Sequence, residues 1–191
     1  MSVAQTQMCS APAYEAIVER DIMMSLRDGV RLATDLYFPA LDDEKIDQRF
    51  PVVLTRTPYD KLGRDTTGKW FAERGYVFAA QDVRGRYASE GVFYPYAHEG
   101  PDGYDTVEWL AQQPFCTGKV GTVGASYCAA VISALAALDP PHLSAMIHLF
   151  GPSSHYHCSM RNNGTLEMRF FAGAFSLAAT SREAAANPAL K

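Results

Sequence analysis

The period of the hydrophobic positions changes several times along this chain. In IVERDIMMSLRDGVRLATDLYFPA, two alternating runs flank Arg27-Asp28-Gly29. An Asp-Gly pair between such runs predicts a β-hairpin, with Asp28 and Gly29 as turn residues and no chemistry assigned to them. The polar stretch LDDEKIDQRF then reads as an exposed loop. Val52, Val53 and Leu54 form a continuous apolar run, as expected of a strand covered on both faces. That strand should end near Thr55, and Arg56 to Asp60 leave it as a loop. Trp70 to Arg74 close a helix capped by Gly75, and Tyr76 to Gln81 form the next buried strand, with Asp82 at its end. GYDTVEWLAQQPF is an amphipathic helix with Val107 and Leu110 inward and Asp105 and Glu108 outward. Asp105, placed near its N-terminus, suits the helix dipole. Lys119 to Leu138 reads as a short buried strand (Val120 to Val123), a sharp turn at Gly124-Ala125-Ser126-Tyr127, and a helix of small and aliphatic residues. LSAMIHLFGP is one more apolar strand, ending at Gly151-Pro152.

Strands alternating with helices behind an antiparallel hairpin predict an α/β fold, with a mostly parallel sheet and an antiparallel leading edge. Residues 1–15 are a flexible lead-in, and residues 16–151 carry the sheet. FFAGAFSLAATSREAAANPALK reads as helix and polar connector with no closing strand, the pattern of the front part of a longer protein. A sheet ending in this way leaves an unpaired edge and an uncovered face, so association between copies is expected.

Composition adds mainly exclusions. The 191 residues are 48% hydrophobic and 20% charged, which is ordinary for one globular domain. A net charge of −4 without a basic stripe argues against nucleic acid. No apolar run approaches the length needed to span a membrane, and the N-terminus lacks the basic and apolar regions of a secretory signal. Cys9, Cys116, Cys128 and Cys158 are scattered without C-x-x-C spacing, which suits a reduced, cytoplasmic setting.

The chemistry concentrates at strand ends. In open α/β sheets, ligands sit at the carboxyl ends of the strands. Tyr59, the loop after Asp82, Ser126 and the segment after Phe150 all fall there. A serine on a strand-turn-helix bend has the form of a nucleophile elbow, although a Gly-Ser turn in any strand-helix unit reads the same way. Such a serine needs a histidine base, an orienting carboxylate and donors for the oxyanion. The Tyr127 N–H is the natural first donor. The Tyr59 hydroxyl is the most obvious second one, against the alternative of a packed loop aromatic. None of His98, His142, His148, His155 and His157 stands out as the base. His148 is expected in the core and His142 in a surface turn. The acid and the histidine are expected beyond Lys191. His155, His157 and Cys158 also suit zinc, but no further ligand cluster completes that site, and no metal or organic cofactor is expected. Asp82, Arg84 and Arg86 read as ion pairs and caps that lock a glycine-rich loop.

Five motifs in order, RDGVRLATDLYFP, RTPYDK, QDVRGRYASEG, DTVEWLAQQPF and KVGTVGASY, resemble one family. This is the cocaine esterase and X-Pro dipeptidyl-peptidase (CocE/NonD, S15-like) group of α/β-hydrolases, which includes the α-amino acid ester hydrolases and glutaryl acylases. The resemblance runs from about Val18 to Phe175. It implies an α/β-hydrolase fold, with residues 152–191 opening a helical cap. It makes Ser126 the nucleophile, and the Tyr59 hydroxyl and Tyr127 N–H the oxyanion hole. It implies small-molecule ester, amide or peptide substrates cleaved through an acyl-serine. The family pattern carries glycine where this chain has Ala129, and alanine there should only tighten the contact between helix and strand. Two alternatives remain open: an inactive fragment of the same fold lacking the Asp and His, and a non-enzymatic binding module using the same cleft.

Overall fold

The computed structural model describes residues 10–187 and 189. β1 (Glu15–Ser25) and β2 (Arg31–Leu41) form the antiparallel hairpin. Its turn needs Gly29, whose φ is +85°, and the Asp28 carboxylate accepts from the Val30 N–H. Asp28 also pairs with Arg84 at 2.8 Å, so the turn is anchored to a distant loop. The polar loop that follows holds the two-residue β3 (Glu44–Lys45). β4 (Phe50–Thr57), α1 (Asp65–Ala72), β5 (Val77–Asp82), α2 (Glu99–Ala111), β6 (Cys116–Ala125), α3 (Tyr127–Ala136) and β7 (Leu143–Leu149) then alternate. The last stretch holds α4 (His155–Cys158), the hairpin strands β8 (Arg161–Asn162) and β9 (Thr165–Leu166), α5 (Met168–Ala179) and α6 (Arg182–Ala186).

The sheet order is β1-β2-β5-β4-β6-β7, with β3 on β2. β2 meets β5 antiparallel, and β5, β4, β6 and β7 are parallel to one another. The chain builds β4 then β5 in one direction and crosses back over β4 to place β6. That reversal makes β4 and β6 neighbours, so the loops leaving their carboxyl ends open side by side.

The buried strands obey the period of two on both faces. Val77 and Ala79 of β5 pack with Val52, Leu54, Val107, Leu110 and Leu135 under α2 and α3. Phe78 and Ala80 point the other way, to Tyr37 and Ala72 under α1. Each large side chain buried this way contributes about 1.5–3 kcal/mol. Gly68 lets α1 approach, because a Cβ there would lie 2.6 Å from the Tyr37 ring.

Several expectations shift. β4 continues to Thr57 and β6 starts at Cys116, because pairing extends both beyond their apolar runs. The helix before Gly75 ends at Ala72 and not at Arg74; Gly75, at φ +81°, lies in the turn that follows. α2 begins at Glu99, so Asp105 sits in mid-helix, where it receives Arg27 rather than complementing a dipole. Part of the lead-in is bound: the Ser10 carbonyl accepts from Arg74 Nε at 3.0 Å, and the Ala13 and Tyr14 N–H groups donate to the Glu73 carbonyl. His148 is exposed rather than in the core, because β7 is the edge strand and α3 packs on only part of it.

β7 leaves an apolar surface open. Met146, Ile147 and Leu149 are about half exposed, and Phe150 is 92% exposed. Ile147 shares a trough of about 380 Å³ with Val53, Phe71 and Tyr76. An unpaired edge beside apolar surface favours strand addition by another chain. We expect the 191-residue chain to self-associate in sedimentation velocity, and Ile147→Lys to shift it toward monomer. A wild-type chain that stays monomeric at the same loading would count against this.

Candidate active site

β6 ends at Ala125, and the chain must turn into α3 within one residue. Ser126 makes the bend with φ 57° and ψ −120°, a conformation that costs on the order of 1–3 kcal/mol outside glycine. Its N–H donates to the Leu149 carbonyl at 3.0 Å, and its carbonyl accepts from the Ala129 and Ala130 N–H groups. Gly124 is required below it, since a Cβ would stand 2.7 Å from the Cys128 carbonyl group. The outcome is an exposed serine above the first turn of α3, where the Tyr127 N–H has no partner within the helix.

β4 delivers Tyr59 beside it. The Tyr59 N–H donates to Thr57 Oγ1 at 3.0 Å, and Asp60, at φ 82°, caps the next short turn through the Leu62 N–H. Tyr59 and Ser126 line the same cleft, and the Tyr59 ring lies edge-on to Tyr127 with centroids 6.3 Å apart. Burial raises the Tyr59 phenol above its ordinary range, helped by Cys128 and opposed by Ser126. The phenol therefore stays protonated at neutral pH, the form that can donate.

Tyr127 is held from its far end. Its hydroxyl donates to Glu99 Oε1 at 3.0 Å and accepts from the Tyr96 N–H at 3.0 Å. Its ring stacks on Tyr96 with centroids 4.3 Å apart. Burial pushes both the Tyr127 phenol and the Glu99 carboxyl upward. Arg56 approaches Glu99 at 3.1 Å and is itself fixed by Gln81 at 2.8 Å.

The glycine-rich loop after β5 ties these parts together. Asp82 accepts from the Lys61 N–H at 2.8 Å and the Ala88 N–H at 3.3 Å. Arg84 forks onto Asp102. Arg86, nearly fully buried, donates to the Pro58 carbonyl beside Tyr59 and to the Leu177 carbonyl at the end of α5. All three residues thus hold the loop and its neighbours.

The cleft over Ser126 has a volume of about 400 Å³ and is walled by Tyr59, Tyr96, Tyr127, Phe170 and Leu177, with Arg169 also lining it. A second compartment of about 360 Å³ also reaches Ser126, between Tyr96, Phe150, Gly151 and Ser159. Sequence patterns missed Tyr96, Glu99 and Arg56. Arg56 looked like a loop residue because β4 was read as too short, and Tyr96 and Glu99 lie in segments to which no role was assigned.

His142 precedes β7, at the opposite end of the sheet from Ser126, and its Nδ1 lies 2.8 Å from Glu108. His148 pairs in register with Gly124, and its ring fills the space beside Gly151. The side chains of His155 and Cys158 lie outside the described residues. Among the described residues no group of three or more His, Cys, Asp or Glu could hold a metal ion, and no helix is long and apolar enough to cross a membrane.

The family model of the X-Pro dipeptidyl-peptidase (S15 family) matches residues 28–191. The chain belongs to this family. Cocaine esterase of Rhodococcus sp. is 41% identical over 116 residues, covering 58% of this chain and 19% of that protein. A CocE/NonD family hydrolase from Staphylococcus aureus superposes with a TM-score of 0.74 at 29% identity, over 88% of this chain and 34% of the other. An α-amino acid ester hydrolase superposes at 0.65 and 28% identity, over 83% and 30%. The fold is that of the α/β-hydrolases. The chain spans about a fifth of that curated relative and about a third of these two solved structures.

Asp82 generates a pH prediction. Burial outweighs its two backbone donors and raises its pKa to about 6. The unfolded acid ionises near 3.9. Between those values the native state holds a proton that the unfolded state has lost, so stability falls as pH rises. The contribution is complete below about pH 4 and gone above about pH 6, a change on the order of 3 kcal/mol. Subtracting the urea stability of Asp82→Asn from that of wild type should give a curve that descends across this window. A flat or rising difference would refute the burial account.

Proposed function

We propose that the chain carries the nucleophile half of a serine hydrolase that cleaves an ester or amide through an acyl-serine. The observation that carries the reading is the strained, exposed Ser126 at the start of α3, in a cleft also lined by Tyr59 and Tyr127. Ser126 Oγ attacks the carbonyl carbon and forms the new C–O bond, while the carbonyl π pair moves onto oxygen. Tyr59 and Tyr127 stabilise that oxyanion. Collapse expels the alcohol or amine, which takes up the proton released by Ser126, and water then cleaves the acyl-serine. The Ser126 proton passes through a histidine oriented by an acid. No hydrogen bond joins a described histidine to Ser126, and the reading assigns both groups to sequence outside the described residues. Membership of a hydrolase family supports the reaction class, and the names of the relatives support small ester or peptide substrates.

The test is phosphonylation of Ser126 by a fluorophosphonate, with fluoride as the leaving group, followed by mass spectrometry, together with turnover of a p-nitrophenyl ester. An adduct at Ser126 that vanishes in Ser126→Ala is expected. Tyr59→Phe should slow its formation about 10²–10³-fold, the usual effect of losing one oxyanion donor. Slow labelling without turnover would support the inactive-fragment reading, since the oxyanion hole alone retains residual catalysis. Labelling that is unchanged in Ser126→Ala would end the proposal.

A further inference from the structure

We propose that Arg64 is a positioning residue for Tyr59: its guanidinium, which pairs with no carboxylate among the described residues, holds the turn that carries Tyr59 and makes the phenol a stronger donor to developing negative charge. This rests on the hydrolase reading above and adds an electrostatic part to that same site. Arg64 ends the short turn after Tyr59, Lys61–Arg64, and is the N-cap of α1. Its side chain reaches back to both elements that frame the serine. Nη2 donates to Thr57 Oγ1 at 3.3 Å, at the end of β4, and to Cys128 Sγ at 3.7 Å, on the first turn of α3. Thr57 and Cys128 are both buried, so this end of the guanidinium lies inside the fold. Thr57 Oγ1 also accepts from the Tyr59 N–H at 3.0 Å, and one hydroxyl therefore ties Arg64 to the Tyr59 backbone.

The charge is not cancelled by a neighbour. Asp65, next in sequence, pairs instead with Arg20 and Lys69, each at 2.7 Å. Asp60 caps the turn through the Leu62 N–H. Arg64 Nε is buried and has no hydrogen-bond partner. Removing a cation from water without a counter-ion is unfavourable, so such groups are normally paired.

The titratable groups that face the Tyr59 phenol from other elements are Cys128 and Tyr127 of α3 and Tyr96 of the loop after β5. Burial raises all three, which keeps them neutral at neutral pH, and Arg64 supplies the charge there. Burial raises the Tyr59 phenol too, and Arg64 opposes it. A phenol beside a cation is a stronger acid and a stronger hydrogen-bond donor. That favours the transition state, in which the carbonyl oxygen gains charge, over the neutral ground state.

Two measurements test this. The first is a fluorine NMR titration of protein carrying fluorotyrosine, whose phenol ionises at lower pH than that of tyrosine. The Tyr59 signal is the one missing in Tyr59→Phe. In Arg64→Met its titration should move up by about 1 pH unit, the lower end of what an adjacent opposite charge contributes. The second is the rate of Ser126 phosphonylation. Arg64→Met should slow it about 3–10-fold, as part or all of that change reaches the transition state. Arg64→Lys, which keeps the charge, should restore most of both readouts. In a Tyr59→Phe background, Arg64→Met should have no further effect, whereas a misfolded variant would lose rate in both backgrounds. A Tyr59 titration unmoved by Arg64→Met, an unchanged labelling rate, or an equal loss in both backgrounds would overturn the proposal. The titration does not depend on the chemistry of Ser126. A moved titration without an adduct in wild type would leave the link between Arg64 and Tyr59 standing and remove the serine reading, and an adduct with an unmoved titration would do the reverse.

Discussion

The cleft depends on one backbone conformation, the left-handed bend at Ser126. The strand enters the helix through a single residue, which here takes positive φ, and the strain is tolerable only if neighbours hold it. Here the Leu149 carbonyl takes the Ser126 N–H, the amides of α3 take its carbonyl, and β4 and β7 fix the strand beneath from both sides. The bend therefore requires β7 to be paired with β6 even though β7 is otherwise exposed. Loss of that pairing would release the serine before it disturbed the core under α2 and α3.

The parts around the bend are held by buried polar groups as well as by the apolar cluster of Val83, Phe93, Tyr127 and Val131. Arg56, Gln81 and Glu99 form a connected set beneath Tyr127, and Arg86 joins the Tyr59 loop to the end of α5. Such networks fix geometry because each unmade bond in a low dielectric is expensive. Arg86 has the longest reach: one guanidinium bonds segments 28 and 91 residues away in sequence. The walls of the cleft, the Tyr59 loop and the overlying helix are thus mechanically one unit.

Much of this was legible in the sequence, and the limits have physical causes. The Asp28-Gly29 turn, the apolar runs of β4 and β5, and the Gly124 to Tyr127 bend are local signals, and they locate the hairpin, the sheet and the exposed serine. The motif RTPYDK placed Tyr59 at a strand end, and the β4–β6 adjacency brings it to Ser126. What stayed hidden depends on partners far apart in the chain. Whether Glu99 is solvated or buried is decided by Tyr127 and Arg56, and whether His148 is in the core is decided by what packs on β7. The extra residues of β4 are polar, so their pairing leaves no apolar trace. Asp105 looked like a dipole partner only because the start of α2 was read too late.

The alanine at position 129 has a structural counterpart. The family pattern carries glycine there, and a methyl at a closely packed helix face needs room. Gly151 provides it: a Cβ on Gly151 would stand 2.6 Å from Ala129 Cβ and 2.2 Å from the His148 ring. Ala129 is fully buried, so its methyl occupies space left by the glycine on the segment after β7. The departure at the elbow and the glycine at the mouth of the second compartment are two halves of one packing solution. The backbone at Gly151 can then run close under Ser126 while α3 keeps its register.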